Sequence, residues 1–388
     1  MTAITSVDLR RLACVADMAA AAEEMLPQGA FDYYAGGSGR EWTLSENERA
    51  FLRWVFRRRV LVDVDDIDTS VTVLGRRHQL PVLLAPVALQ RMAHPEGELA
   101  TARAARGAGT TMVLSTLASS TIEEVAATGV NRWFQLYIHR DRGLTKELVA
   151  RAVAAGYSAI VLTVDAQQFG RRDRDERNRF APPPGCELAI LAGRALGVCR
   201  ASGMPEGPDS DDDDRAPASA SPLLAYIAEQ LDPGLTWDDV AWLRSLSELP
   251  VVIKGVITGQ DAVRAAEAGA AAVSVSNHGG RQLDGDPAAL DALPEVVDAV
   301  GDRVEVFMDG GVRRGTDVLC ALSLGARAVL VGRPQLWGLA CGGEAGVAKV
   351  LDILGGDLAL AMRLAGVRTV ADIDRSLVAR PSYFPCDL

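Results

Sequence analysis

Eight short apolar runs recur along the chain, beginning at residues 81, 110, 132, 159, 250, 271, 304 and 326. They are almost continuously apolar instead of alternating with polar residues, which is typical of parallel strands with both faces buried. Helical patterns lie between most of them, and several begin at threonine and end in glycine, the residues expected at helix caps. The glycines are Gly109, Gly129, Gly156, Gly269, Gly301 and Gly325. This alternation predicts repeated βα units.

Eight such units predict an α/β fold, a single (β/α)8 TIM barrel. Residues 1–80 are expected to form an N-terminal helical cap, and residues 81–388 the barrel with C-terminal helices, together one structural domain. A doubly wound sheet is the alternative, but the GxGxxG turn expected after its first strand is absent.

One interval, between the fourth and fifth runs, breaks this rhythm. It contains APPPG and GMPEGPDSDDDDRAPASASP, so residues 185–220 are predicted to be a mobile excursion. Within it, Asp211–Asp214 is interpreted as a solvated charge run in preference to a cation site.

Composition and charge narrow the classes of function. With 48% hydrophobic and 23% charged residues, the 388-residue chain is neither disordered nor a disulfide scaffold. A net charge of −11 argues against nucleic acid and anionic membranes as partners. Six scattered cysteines predict reduced thiols and no metal site. The charged N-terminus, the lack of a spanning apolar run and a C-terminus unlike SKL predict a cytoplasmic protein.

Polar or small residues end most of the predicted strands. In a (β/α)8 barrel the strand ends form the active-site mouth, and buried polar groups without partners would be costly there. We therefore expect these residues to surround a ligand. They are Pro86, Ala88, Ser115, Gln135, Tyr137, Thr163, Asp165, Lys254, Ser276, Asn277, His278, Asp309, Gly310, Gly311, Gly332 and Arg333.

The last two strands end in DGGVRRG and GRP, which indicates a phosphate site. Gly310 and Gly311 allow backbone N–H groups to approach a ligand closely, and Arg313 and Arg333 supply charge. The loops after strands seven and eight are the usual phosphate site of this barrel. The alternative is that the glycines only shape turns and the arginines pair with surface acids.

Lys254 and His278 are the candidate reactive groups. Lys254 could pair with Asp309 or Asp165, form a Schiff base, or face an electron-rich cofactor, and its position alone does not choose. His278, followed closely by Arg281, suits a catalytic base beside a carboxylate-binding arginine. Of the other histidines, His94 is expected to help start a helix, while His78 and His139 are expected to be superficial.

These residues lie in an ordered set of motifs that resembles one family. The motifs are FDYYAGGSGREWTLSEN, APVALQRMAHPEGE, FQLY, LTVD followed by GRR, VIKGV, SNHGGRQLDG, DGGVRRGTDV and VGRP. Together they resemble the FMN-dependent 2-hydroxy-acid oxidases and dehydrogenases, the glycolate oxidase family, over nearly the whole chain outside residues 185–220.

The resemblance implies FMN as cofactor and oxidation of a small (S)-2-hydroxy acid to a 2-oxo acid, with oxygen as acceptor and hydrogen peroxide as product. It also implies a homo-oligomer, a tetramer. A lactate- or mandelate-type dehydrogenase with another electron acceptor is the alternative within the family. From other classes, a Schiff-base lyase acting through Lys254 and a phosphate-ligand-binding barrel stay open.

The resemblance also implies roles for single residues. His278 matches the proton-abstracting base, Asp165 the carboxylate that orients it, and Lys254 a lysine near the flavin N1 and C2 carbonyl, where it stabilises negative charge. The substrate residues are Tyr33, Tyr137, Arg172, Arg281 and Leu117. The flavin-ring residues are Pro86, Ala88, Ser115, Gln135, Thr163 and Ser276, and the ribityl and phosphate residues are Asp309, Gly311, Arg313, Gly332 and Arg333. For Tyr33 and Tyr34, packing of an N-terminal helix is the alternative.

Two departures from the family pattern bear on the pocket. Leu117, in LSTLASS, stands where glycolate oxidase has tryptophan, which predicts a larger pocket. Ala166 and Gln167 replace a small hydroxyl residue and a proline beside Asp165, which puts the geometry of that loop in doubt.

Overall fold

The computed structural model describes residues 7–191 and 229–381. Most of the predicted excursion, including Asp211–Asp214, lies outside these ranges. Three helices come first, α1 (Val15–Met25), α2 (Gln28–Ala35) and α3 (Trp42–Leu52). Short strands β1 (Val55–Phe56), β2 (Val71–Val73) and β3 (Arg76–His78) follow.

Eight parallel strands then form a closed barrel in chain order, with the last strand paired to the first. The strands are β4 (Val82–Leu84), β5 (Thr111–Leu114), β6 (Asn131–Leu136), β7 (Ile160–Thr163), β8 (Val251–Val256), β9 (Ala272–Val275), β10 (Glu305–Asp309) and β11 (Ala328–Val331). This confirms the (β/α)8 prediction at all eight predicted strands. The doubly wound alternative is wrong, because the sheet has no open edge.

Helices flank the barrel in the order the sequence predicts. They are α4 (Gly97–Gly107), α5 (Ile122–Ala127), α6 (Arg142–Ala154), α7 (Asp173–Arg177), α8 (Trp237–Arg244), α9 (Gly259–Glu267), α10 (Ala289–Val300), α11 (Gly315–Ser323) and α12 (Arg333–Ala365), the last interrupted at Gly342 and Gly343. Strand β12 (Val378–Ala379) pairs antiparallel with β1. In the two described ranges, no helix is both long and apolar enough to cross a membrane.

The barrel interior explains why the strand ends are polar. Alternate strand residues point inward, and the lower inward layer is apolar, with Trp133 and Phe307 ring centroids 5.7 Å apart. Val71 and Val73 of the β2–β3 hairpin close this end. Two residues further along five of the strands, the inward positions become the predicted site residues Ser115, Gln135, Thr163, Lys254 and Asp309. The period of two therefore places the site residues on the inner wall of the mouth.

The histidine expectations are partly wrong. His78 and His139 are each 2% exposed instead of superficial. His78 Nε2 lies 2.6 Å from Thr111 Oγ1 at the closed end of the barrel. His94 behaves as expected, because its Nδ1 accepts a 3.2 Å hydrogen bond from the Glu96 amide just before α4.

The N-terminal helices pack over the mouth of the barrel. Tyr34 on α2 donates its hydroxyl to the Leu89 carbonyl at 2.6 Å. Asn47 on α3 and Asn277 after β9 exchange two side-chain hydrogen bonds of 2.9 Å. The N-terminal cap therefore holds the loops at the strand ends. The boundary between cap and barrel at residue 80 stays a prediction.

Candidate active site

A cavity of about 470 Å³ opens at the C-terminal mouth of the barrel. This volume is in the range of small-molecule sites. Of the predicted residues, Asp165, Ser276 and Asn277 do not line it, and the Asn277 side chain binds Asn47 on α3 instead, while Gly310 and the other site residues do line it. These other site residues are Tyr33, Pro86, Ala88, Ser115, Leu117, Gln135, Tyr137, Thr163, Arg172, Lys254, His278, Arg281, Asp309, Gly311, Arg313, Gly332 and Arg333.

His278 and Asp165 form a hydrogen-bonded pair at this wall. The His278 Nδ1 atom lies 2.8 Å from Asp165 Oδ1. His278 has a left-handed backbone with φ +58°, unusual for a residue with a side chain and typical of a functional turn. Gly255 permits the close approach of Asp165, because a Cβ there would lie 2.6 Å from Asp165 Cγ. Asp165 therefore sits behind the imidazole instead of facing the cavity.

The electrostatic surroundings prepare this pair for proton abstraction. Burial lowers the pKa of His278 below its ordinary value; Asp165 opposes this, while Lys254 and Arg281 add to it. Burial alone would raise the pKa of Asp165, but His278 and Lys254 outweigh it and hold that pKa below its ordinary value. At neutral pH the imidazole is neutral and the carboxylate ionised, as a general base and its orienting partner require.

Lys254 belongs to a second buried polar group with Ser276 and Asp309. Its Nζ lies 3.2 Å from Asp309 Oδ2 and donates a 3.0 Å hydrogen bond to Ser276 Oγ. Ser276 in turn donates to Asp309 Oδ1 at 2.7 Å. Burial would lower the pKa of Lys254, but Asp309 and Asp165 outweigh it and raise that pKa. The side chain is therefore a fixed cation at the cavity wall.

Two arginines and a tyrosine form an anion site above His278. The guanidinium carbons of Arg172 and Arg281 lie 5.7 and 5.1 Å from the centroid of the Tyr33 ring. Arg281 donates to the Tyr33 and Gly36 carbonyls at 2.7 and 2.9 Å. Burial, reinforced by Arg172, lowers the pKa of Arg281 to about 10, so Arg281 remains charged at neutral pH. Arg172 Nε is buried without a hydrogen-bond partner among the described residues, as expected of a group that awaits an anion.

The two predicted phosphate arginines differ in their present partners. Arg313 makes a 2.7 Å salt bridge with Glu48, whose side chain is half exposed. Arg333 donates three hydrogen bonds of 2.9 Å to the carbonyls of Tyr34, Gly279 and Gly36. Arg313 is therefore the more available of the two, while Arg333 also fixes the end of α2.

The opposite wall fits the flavin that the resemblance implies. Gln135 Nε2 is buried and has no hydrogen-bond partner in the described part of the chain, whereas its Oε1 accepts from Ser115 Oγ at 3.2 Å. This amide N–H2 lines the cavity and can donate to a carbonyl or ring nitrogen of a bound group. Lys254 offers positive charge on the same wall. The residues present thus fit a flat, electron-rich ring with acceptor atoms at its edge.

Phe169, Asp175 and Phe180 are among the cavity residues that sequence reasoning missed. Phe180 stacks on Tyr33 with centroids 4.5 Å apart, and Phe169 packs edge-on to Tyr137 at 6.4 Å. Asp175 lies 3.3 Å from Arg172, and burial raises the pKa of this carboxyl. All three lie in the long connection after the fourth barrel strand, Asp175 within the short helix α7, where no strand-end rule applies. In the sequence, the only indication that these residues belong to the cavity was that they lie close to the GRR motif.

The structure describes both departures from the family pattern. Leu117 is buried at the cavity wall, and its amide donates to Ser115 Oγ at 3.1 Å. Ala166 is buried, and Gln167 Nε2 donates to the carbonyls of Pro233 and Leu235 at 3.3 and 3.0 Å. The loop beside Asp165 is thus tied to the chain where it returns to the barrel. Within residues 7–191 and 229–381, no cluster of three or more His, Cys, Asp or Glu side chains could hold a metal ion.

Comparison with known proteins gives a consistent result. The profile of the family described as FMN-dependent dehydrogenase matches residues 22–380. L-lactate oxidase of Nostoc sp. is 54% identical over 362 residues, covering 92% of this chain and 95% of that protein. Glycolate oxidase of Spinacia oleracea is 49% identical over 361 residues, covering 93% and 94%. A crystal structure of mandelate oxidase with (S)-4-hydroxymandelic acid has a TM-score of 0.86 and 44% identity, covering 95% of this chain and 98% of that one.

Proposed function

Because this chain belongs to the FMN-dependent dehydrogenase family, we propose that it oxidises an (S)-2-hydroxy acid to the 2-oxo acid. It is an FMN-dependent oxidoreductase, and the resemblance found in the sequence is confirmed. The observation that carries the substrate assignment is the neutral His278, held by Asp165, in one cavity with two carboxylate-binding arginines.

The chain's own residues divide the work as follows. Arg172 and Arg281 bind the substrate carboxylate, and Tyr33 and Tyr137 complete that side of the cavity. Since His278 Nδ1 donates to Asp165, Nε2 carries the lone pair and takes the substrate proton. Asp165 then stabilises the imidazolium. Arg313 and Arg333 would hold FMN by its phosphate, and bound FMN would supply the two-electron redox chemistry between the hydroxy acid and oxygen.

The environment of Lys254 disfavours the Schiff-base lyase. An amine nucleophile must lose its proton, whereas Asp309 and Asp165 keep this side chain protonated by raising its pKa. A barrel that only binds a phosphate ligand would not require the hydrogen-bonded His278–Asp165 pair. A dehydrogenase with another electron acceptor shares every one of these residues, so the acceptor has to be measured directly.

The absorbance spectrum of the purified protein tests the function. We expect a yellow protein whose visible band bleaches when a 2-hydroxy acid is added without oxygen. Steady oxygen consumption under air supports the oxidase, whereas bleaching without oxygen consumption supports the dehydrogenase. A colourless protein that does not take up FMN would overturn the proposal. We also propose a cytoplasmic tetramer, which sedimentation and cell fractionation can test.

Arg313 is expected to hold the FMN phosphate. Arg313→Ala should raise the Kd for FMN about tenfold or more, because a charge-assisted hydrogen bond to phosphate is lost. Flavin fluorescence during titration of the apoprotein measures this Kd. The neighbouring Arg314 is exposed and does not line the cavity, so Arg314→Ala is the matched control. Equal affinities for the two variants would contradict the placement.

Leu117 is expected to set the preferred size of the substrate. An isobutyl group in place of an indole leaves space beside the substrate side chain, and each added methylene gains about 0.8 kcal/mol in an apolar pocket. Longer aliphatic or aromatic 2-hydroxy acids should therefore exceed glycolate in kcat/KM, and Leu117→Trp should reverse the order. Glycolate, lactate, 2-hydroxyoctanoate and mandelate are compared, with Leu117→Met as a volume-conserving control. Glycolate as the best substrate of the unmodified protein would refute this expectation.

A further inference from the structure

Gln282 joins the two loops that carry the reactive pair. It lies four residues after His278, and its side chain is buried between the loops. Its Nε2 donates to the Asp165 carbonyl at 2.6 Å and to the Gln168 carbonyl at 3.0 Å. Its Oε1 accepts from the Gly170 amide at 3.0 Å. One amide group therefore satisfies three backbone groups of the loop after β7.

These contacts lie where the loop after β7 and the loop after β9 nearly touch. A Cβ on Gly170 would lie 2.5 Å from the Gln282 carbonyl oxygen and 2.6 Å from that of Arg281. Asp165 and Arg172 belong to one loop, His278 and Arg281 to the other. No other side chain in the described ranges hydrogen-bonds the backbone carbonyl of Asp165.

We propose that Gln282 is a positioning residue, whose amide fixes the backbone of Asp165 against the His278 loop and so sets the contact between carboxylate and imidazole. It does not line the cavity, and it acts on the reaction only through Asp165. The effect of Gln282 on turnover rests on the proposed function. Its effect on the pKa of His278 does not depend on any substrate.

The charges around His278 fix the sign of that effect. Asp165 is the anion that raises the pKa of His278, while Lys254 on β8 and Arg281 on the same loop lower it. Arg333 on α12 adds a further cation next to the loop, where it binds the Gly279 carbonyl. If Asp165 drifts away, the cations are no longer opposed and His278 becomes a weaker base.

The experiment is a double-mutant cycle on the FMN-loaded protein. Gln282→Met keeps the side-chain length but removes all three hydrogen bonds, and Asp165→Asn removes the negative charge. We expect Gln282→Met alone to lower kcat about tenfold, but to lower it less than about twofold when Asp165→Asn is already present. The matched control is Gln90→Met, which alters another buried amide, bonded to Thr101, that does not itself line the cavity.

A second readout needs no turnover. With only four histidines in the chain, NMR of histidine-labelled protein can follow the titration of His278, identified by its absence in His278→Gln. We expect Gln282→Met, like Asp165→Asn, to move this titration to lower pH, and Gln90→Met to leave it in place. An unchanged His278 titration overturns the inference even if the enzyme is active, whereas a shifted titration without hydroxy-acid turnover upholds it and overturns the proposed function.

A variant that keeps part of the contact guards against misfolding. Gln282→Glu can still accept from the Gly170 amide, but it sets a carboxylate against the Asp165 and Gln168 carbonyls. We expect the same direction of change in kcat, whereas the His278 titration is followed in Gln282→Met, because the carboxylate of Gln282→Glu would itself raise the pKa of His278. An equal loss of kcat with and without Asp165→Asn, for either variant, would show that Gln282 acts only on general stability.

Discussion

Replacing His278 by alanine is expected to lower turnover at least ~10²-fold while FMN stays bound, since this is the lower end of what a general base contributes. The side chain is the cavity-lining group whose neutral form is stabilised by burial and whose second nitrogen is held by Asp165. Its removal leaves the arginines that bind the carboxylate and the wall that fits the flavin untouched. The loss should therefore fall on kcat, with little change in the Kd for FMN.

The measurement combines steady-state kinetics with the visible spectrum of each variant. His94→Ala is the matched control, because His94 only accepts a backbone hydrogen bond before α4. A yellow His278→Ala protein with turnover close to that of the unmodified enzyme would remove His278 from the mechanism.

Asp165→Asn is expected to lower kcat by on the order of 10²-fold or more, because the imidazolium loses its counter-charge and the neutral imidazole loses the partner that selects its tautomer. Asp165 raises the pKa of His278 against burial, Lys254 and Arg281. Without it that pKa falls further, so the acid limb of kcat/KM should move to lower pH while the plateau drops. A plateau that drops with no movement of the limb would show that Asp165 does not act through His278.

The pH profile of kcat/KM, recorded for the unmodified enzyme and for Asp165→Asn, measures this movement of the acid limb. Asp284→Asn is the control. Asp284 belongs to the loop of His278, and among the described residues its carboxylate accepts from the backbone amides of Arg40 and Thr43 in the N-terminal segment. We expect this control to keep the acid limb of the unmodified enzyme. That limb itself should lie below the ordinary pKa of histidine, because burial favours the neutral ring.

The barrel and its mouth were predictable because both follow from short-range rules. Continuously apolar strands have to be buried on both faces, and the alternation of inward positions carries Gln135, Thr163 and Lys254 onto the inner wall. All six glycines predicted to end helices have positive φ, the conformation for which glycine is chosen there. The strand ends of a barrel meet at its mouth, and most of the predicted strand-end residues line the cavity.

Partners distant in the chain were not predictable. Lys254 could have paired with Asp309 or Asp165, and only the closed barrel shows it at 3.2 Å from Asp309. The burial of His78 depends on a hairpin that folds back under the barrel. In each case a contact made in three dimensions decided the outcome.

The packing of the N-terminal helices over the mouth has an evolutionary consequence. Tyr33 reaches the site from α2, and Asn47 on α3 exchanges hydrogen bonds with Asn277 beside the base. Gly311 admits this helix, because a Cβ there would lie 1.9 Å from the Asn47 carbonyl oxygen. A recombinant that joined this barrel to the N-terminal segment of another lineage would lose these contacts between the two parts. The two parts can diversify only together, and new specificities have to arise in the loops between them, where Leu117 and Phe180 already lie.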